Sequence, residues 1–206
     1  MVLQTVVVFH GKPQLSDYIT MGQVGNVVTK GLLDKREYYY RAVYMDCIRA
    51  LDFAERCSEI DKTKLIVRGT SQGGALAMAV SSLDLRPALA IANVPSNSNI
   101  EKRVIGHYGS FGAVSDYLKR YPYEAEQVFH TLSYFDIMNM AEAVRCPVFA
   151  SVALEDEVCP AACYYAAYNR IPGEKEMMVY PFNGHDGAGN LHMEHEMEYV
   201  KRKGLL

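Results

Sequence analysis

The sequence predicts an α/β fold, a mostly parallel sheet with helices on both faces. Three observations predict it. Short β-branched runs alternate with stretches of helical periodicity. The runs are apolar on both faces, as strands lying between two helix layers must be. A glycine-flanked serine, in Gly69-Thr70-Ser71-Gln72-Gly73, falls where one run gives way to a helix.

The elements follow in order. Thr5-Val6-Val7-Val8-Phe9 reads as a strand. Over residues 35–57, Tyr40, Val43, Tyr44, Cys47, Ile48 and Leu51 recur at helical spacing and predict a helix. Residues 64–68 form the next strand, and a small-residue helix over 72–83 follows its glycine. Residues 88–92 are a third strand, and residues 97–144 read as helices and loops. A strand over 147–154, a helix over 160–170, a strand over 176–181 and a helix over 190–203 complete the chain. No repeat or Pro/Gly linker interrupts this order, so residues 1–206 are read as one domain.

Ligands of such sheets bind beyond the carboxyl ends of the strands, so chemistry is sought in the loops there. Gly69-Thr70-Ser71-Gln72-Gly73 matches the strand–turn–helix motif G-x-S-x-G. Its glycines permit the sharp turn that lifts a serine hydroxyl above the sheet. The Gln72 N–H would face a developing oxyanion at the positive end of a helix. The competing reading is a tight turn with a solvated serine; the apolar strand before it and Gly-Gly-Ala-Leu-Ala after it argue for the nucleophile.

A serine hydroxyl needs a base, and the base an orienting carboxylate, in the chain order Ser, Asp or Glu, His. His10 precedes the serine, and of the other five histidines only His185 follows a strand directly, in Phe182-Asn183-Gly184-His185-Asp186-Gly187. The acid comes from Glu155-Asp156-Glu157, where position alone leaves all three open and Asp156 is a weak choice. Asp84, Asp116 and Asp136 precede that strand and are less well placed. His192-Met193-Glu194-His195 lacks a third ligand at a metal-type spacing and reads as a solvated helix face. Tyr38-Tyr39-Tyr40 suits packing at a helix start better than sugar stacking. Neither a metal nor a cofactor is expected.

Composition excludes other classes. Half of the 206 residues are apolar, which excludes disorder. Twenty-one basic against 24 acidic residues give a net charge of −3, and no basic stripe suits a phosphate backbone. No run approaches the roughly 18 apolar residues of a membrane helix. The apolar start lacks a cationic leader and a cleavage site, so no signal peptide is expected. Five cysteines, an odd count without metal-type spacing, suggest reduced thiols in the cytoplasm.

With these residues in place, the chain from about residue 20 onward resembles carbohydrate esterase family 7, the acetyl xylan esterases and cephalosporin C deacetylases. The resemblance rests on Thr29-Lys30-Gly31-Leu32-Leu33-Asp34, Tyr38-Tyr39-Tyr40-Arg41, Gly69-Thr70-Ser71-Gln72-Gly73-Gly74, Thr131-Leu132-Ser133-Tyr134-Phe135-Asp136, Leu154-Glu155-Asp156-Glu157-Val158 and Asn183-Gly184-His185. It implies an α/β-hydrolase fold with a helical insertion, here residues 97–144. It also implies Ser71 as nucleophile, Asp156 as acid and His185 as base. Acetyl esters of short xylo-oligosaccharides and similar small compounds are the implied substrates, and an intracellular homo-oligomer the implied state.

The departure from the family is at the front, where relatives carry on the order of a hundred more residues, enough for several strands. Val6-Val7-Val8-Phe9-His10-Gly11-Lys12 admits two alignments. One makes it the His-Gly-Tyr strand, with the second oxyanion N–H on Lys12. The other gives it the place of the family's Arg-Gly-Gln strand. Loss of one oxyanion donor costs about 10²–10³ in turnover. Loss of several strands acts on the scale of a whole domain's stability, about 5–15 kcal/mol. A weakly active or inactive assembly subunit is therefore the alternative to a working esterase.

Overall fold

The computed structural model describes residues 6–8 and 26–206. Strands β1 (Val6–Val8), β2 (Ile66–Thr70), β3 (Leu89–Asn93), β4 (Val148–Ala153) and β5 (Lys175–Tyr180) form one sheet in the order 1-2-3-4-5. Every pairing is parallel, with Val67 beside Ala90 and Ile91 beside Phe149. All positions of β3 and β4 are buried, which accounts for their unbroken apolar character. The expected strand boundaries hold to within two residues where they fall among the described residues.

The strand order has a geometric consequence. Parallel neighbours joined in sequence by right-handed crossovers place all the connecting helices on one face. That face holds α1 (Tyr39–Arg56) and α2 (Gln72–Leu83). Between β3 and β4 come α3 (Ile100–Ile105), α4 (Gly112–Arg120), α5 (Ala125–Ser133) and α6 (Ile137–Met140). Between β4 and β5 comes α7 (Ala161–Tyr168). Tyr40, Tyr44 and Leu51 of α1, Leu76 and Met78 of α2, and Tyr164 of α7 join Val67, Ala90, Ala92, Val148 and Ala150 in one core.

Two local devices shape this layer. The helix expected from residue 35 begins only at Tyr39. Before it, the Asp34 carboxylate accepts both the backbone N–H and the guanidinium of Arg36, holding a turn in place of the first helical residues. The strandless stretch expected over 97–144 is helical, and buried Asp136 ties its two ends together. Its carboxylate caps α6 through the Met138 N–H and also accepts the N–H groups of Asn99 and Ile100.

The opposite face is covered, among the described residues, by α8 (Gly189–Arg202). Tyr199 and Val200 pack on Ile66, Leu89, Ile91 and Phe149. Here the expectation of a solvated face at His192–His195 holds for Met193 and Glu194, which are exposed, and fails at His192. His192 is 3% exposed, and its ring stacks on Phe149 with centroids 5.7 Å apart. It is buried because the sheet offers it polar partners. His192 Nε2–H donates to Asn93 Oδ1 at 2.5 Å, and the Tyr180 hydroxyl donates to His192 Nδ1 at 3.0 Å. Buried Glu196 accepts from Asn93 Nδ2 and from Arg68 Nε at 2.6 Å and Nη2 at 3.1 Å. No helix among the described residues is long and apolar enough to cross a membrane.

Candidate active site

Three post-strand loops converge. Ser71 follows β2, Asp156 follows β4 and His185 follows β5. Ser71 adopts φ 58° and ψ −117°, a sharp turn that a side chain enters only under constraint. The constraint is visible. Its N–H donates to Asn93 O at 2.8 Å, and its carbonyl accepts the N–H groups of Ala75 and Ser96 at 3.1 and 3.0 Å. The turn also needs bare glycine, since a Cβ on Gly69 would lie 2.1 Å from the carbonyl carbon of Gly73. Gln72 opens α2, where the first backbone N–H groups have no intrahelical acceptor, and its side chain donates to Tyr40 Oη at 3.1 Å.

The structure brings Ser71, Asp156 and His185 together in one hydrogen-bonded chain. His185 Nδ1 lies 2.8 Å from Asp156 Oδ2, and its Nε2 lies 2.9 Å from Ser71 Oγ. With the proton on Nδ1 donated to the carboxylate, Nε2 is left to accept the serine proton. Of the three acidic residues that position left open, Asp156 is buried against His185, while Glu155 and Glu157 are exposed. Its other oxygen accepts the N–H groups of Val158 and Cys159, both at 2.8 Å, so the carboxylate is held from both sides. The alternatives are engaged elsewhere: Asp84 with Arg86, Asp116 with Lys119 and His107, Asp136 in its caps. Lys12 lies outside the described residues.

Electrostatics follow from these contacts. The Asp156 carboxylate, and then the Cys159 thiol, hold the proton of His185 and raise its pKa above the usual 6.5, against a smaller opposing effect of burial. Burial pushes Asp156 up, but hydrogen bonds from His185 and the Cys159 N–H outweigh it and leave the carboxyl below 3.8.

Two residues that sequence reasoning missed complete the site. Cys159 is buried, with Sγ 3.9 Å from Ser71 Oγ. Burial raises its pKa, yet hydrogen bonding to His185 and the charge of Arg103 bring it below 9.0. Arg103, only 1% exposed, donates from Nη1 to Ser96 Oγ at 3.0 Å and to Cys159 Sγ at 3.6 Å, and from Nη2 to Val158 O at 2.8 Å. It thus braces the acid loop against the serine turn. A helical stretch and a cysteine without a spacing pattern gave no sign of either. Ser71, Gln72, Tyr40, Arg103 and Cys159 face a cavity of about 240 Å³, to which Asn26 and Val28 also contribute.

A solvent-facing serine, a histidine base and an oriented carboxylate beside a helix N-terminus can carry out acyl transfer. The family model for acetyl xylan esterase (AXE1) matches residues 10–203. Acetyl esterase Axe7A of Xylanibacter ruminicola is 33% identical over 162 residues, 77% of this chain and 35% of the relative. An acetyl xylan esterase from Paenibacillus sp. R4 superposes with a TM-score of 0.82 at 40% identity, covering 85% of this chain and 56% of that one. Acetyl xylan esterase 1 from Thermoanaerobacterium sp. JW/SL YS485 superposes with a TM-score of 0.73 at 25% identity, covering 94% and 72%. The chain thus spans about a third to a half of the length of the first two. The fold is that of the α/β hydrolases.

Proposed function

The chain belongs to the acetyl xylan esterase family, and from that premise we propose that it is a serine carboxylesterase acting through an acyl-enzyme. The observation that carries the reading is the hydrogen-bonded chain from Ser71 through His185 to Asp156, at 2.9 and 2.8 Å. Ser71 Oγ attacks the acetyl carbonyl carbon as its proton passes to His185 Nε2. The oxyanion that forms is held by the Gln72 N–H, with the Lys12 N–H as second donor under the first of the two alignments of residues 6–12. As the tetrahedral intermediate collapses, the C–O bond to the alcohol breaks and His185 returns the proton to the leaving oxygen. Water, deprotonated by the same imidazole, then releases acetate from Ser71. Asp156 keeps the imidazole in the productive tautomer and offsets its positive charge.

The substrates of this reading are small acetylated compounds, xylo-oligosaccharides and cephalosporin C-like esters among them. A cavity of about 240 Å³ suits an acetyl group and part of a sugar ring better than a long acyl chain. The same reading makes residues 1–206 one α/β-hydrolase domain with a helical insertion over 97–144. It makes the protein a cytoplasmic homo-oligomer needing no cofactor.

The deciding experiment uses p-nitrophenyl acetate. The wild-type chain gives a burst of nitrophenol stoichiometric with active sites, then a slower steady state. Ser71→Ala abolishes the burst and lowers the rate by at least about a thousandfold. An unchanged rate in Ser71→Ala would overturn the reading, and a wild-type chain without hydrolysis would favour the inactive-subunit alternative.

A further inference from the structure

The loop bearing Asp156 brings a thiol to the proposed nucleophile, and serine acyl transfer has no use for it. Cys159 Sγ sits 3.9 Å from Ser71 Oγ, and Ser71 Oγ sits 2.9 Å from His185 Nε2. Asp156, Cys159 and His185 offer donor atoms that all lie within 4.8 Å of one another. Bond lengths of about 2.0–2.3 Å place neighbouring ligands of a tetrahedral zinc roughly 3.3–3.8 Å apart. The distances from Ser71 Oγ to His185 Nε2 and to Cys159 Sγ fall on either side of that spacing. Small rotations of the Cys159, His185 and Ser71 side chains would seat an ion between them.

The chemistry of the set is selective. Thiolate and imidazole together favour borderline-soft divalent ions over magnesium or calcium, which take oxygen ligands. Asp156 improves the histidine as a ligand. With Nδ1–H donated to a carboxylate, Nε2 points outward in the orientation and tautomer that ligating histidines take. The thiol is reachable, since Cys159 shares the wall of the 240 Å³ cavity with Ser71 and Gln72. Arg103 acts in both directions. Its guanidinium, 3.6 Å from the sulfur, favours the thiolate but repels an incoming cation. It therefore lowers the affinity without removing the site.

We propose that Cys159 Sγ, His185 Nε2 and Ser71 Oγ form a capture site for a zinc-type divalent cation, whose occupancy excludes the acyl substrate. On binding, the sulfur donates a lone pair to the metal and its proton leaves to solvent. The imidazole donates its Nε2 lone pair, and the serine oxygen or water fills the remaining positions. Nothing is oxidised or reduced. The bound ion occupies the only lone pair with which His185 could take the serine proton, so hydrolysis stops until a chelator removes the metal.

Cobalt(II) supplies a spectroscopic probe and zinc(II) the inhibitor. Titrating the wild-type chain with Co²⁺ gives one thiolate-to-metal charge-transfer band, absent in Cys159→Ser and retained in Ser71→Ala. Zn²⁺ inhibits p-nitrophenyl acetate hydrolysis reversibly, and equal Mg²⁺ does not. The inhibiting Zn²⁺ concentration rises at least about tenfold in Cys159→Ser, each protein being normalised to its own metal-free rate. Should Cys159→Ser fail to fold, His185→Gln carries the test, with Co²⁺ affinity falling on the order of 10–100-fold. An identical Co²⁺ band in wild type and Cys159→Ser, unchanged Co²⁺ affinity in His185→Gln, or equal inhibition by Mg²⁺ would overturn the site. The Co²⁺ readout does not depend on turnover, so it decides this inference even if the esterase reading fails.

Discussion

His185 is the residue on which the proposed chemistry turns, and its surroundings set the pH at which it works. Asp156 first, and Cys159 after it, stabilise the protonated ring. A base held protonated cannot accept the serine proton, so kcat/KM rises with pH along a limb whose midpoint lies above 6.5. Cys159→Ser removes one of the two stabilising partners and moves that limb to lower pH. A pH–rate profile of both proteins checks this, and coincident profiles would contradict it. At this scale the sequence was most legible where chain order constrains position: Ser71, His185 and the acidic stretch 155–157 were readable as loops that follow strands, and the structure brings Ser71 and His185 within hydrogen-bond distance. Asp156 could not be separated from Glu155 and Glu157 by position, because what separates them is burial. Arg103 and Cys159 were illegible for a different reason. Their roles rest mainly on contacts distant in sequence, Arg103 with Val158 O and Cys159 across 55 and 56 positions and Cys159 with Ser71 across 88.

Elements were legible wherever both faces of a strand are buried or a helix carries one apolar stripe. The misreading of α8 shows the limit. A histidine–glutamate face looks solvated until the opposing surface is known, and here that surface carries Arg68 on β2 and Asn93 on β3. Glu196 binds both of them, and the Asn93 carbonyl in turn accepts the Ser71 N–H, so α8 is wired to the turn that bears the nucleophile. Glu196→Ala leaves a partly buried guanidinium and a buried amide without their acceptor, a loss expected to cost about 1–3 kcal/mol. Urea unfolding should show the midpoint lowered accordingly. A change below about 1 kcal/mol would mean that the network is replaceable by water.

Across the whole molecule the two faces of the sheet differ in kind. Among the described residues, one is an aliphatic and aromatic core under seven helices, and the other is a smaller patch with a polar network beneath α8. That asymmetry makes stability sensitive to acid. Burial lowers the pKa of His192 from 6.5 to about 4. Between those values the unfolded chain takes up a proton that the native chain refuses. Stability is therefore intact above pH 6.5 and declines as pH falls toward 4, by roughly 3 kcal/mol for this one group. Unfolding midpoints measured between pH 7.5 and 4 should fall in wild type and flatten in His192→Asn. His185 acts with the opposite sign, since its raised pKa lends stability below 6.5 that is lost as pH climbs. The connectivity carries a further consequence for synthesis. Arg68 and its partner Glu196 lie 128 positions apart, and α8 follows every strand of the sheet. A nascent chain thus finishes its first face while the second still waits for α8. Throughout that interval Arg68 and the Asn93 side-chain amide lack their acceptor, while the backbone bonds of the Ser71 turn can already form. The network behind the serine can close only after translation has reached Glu196, however early the serine itself was made.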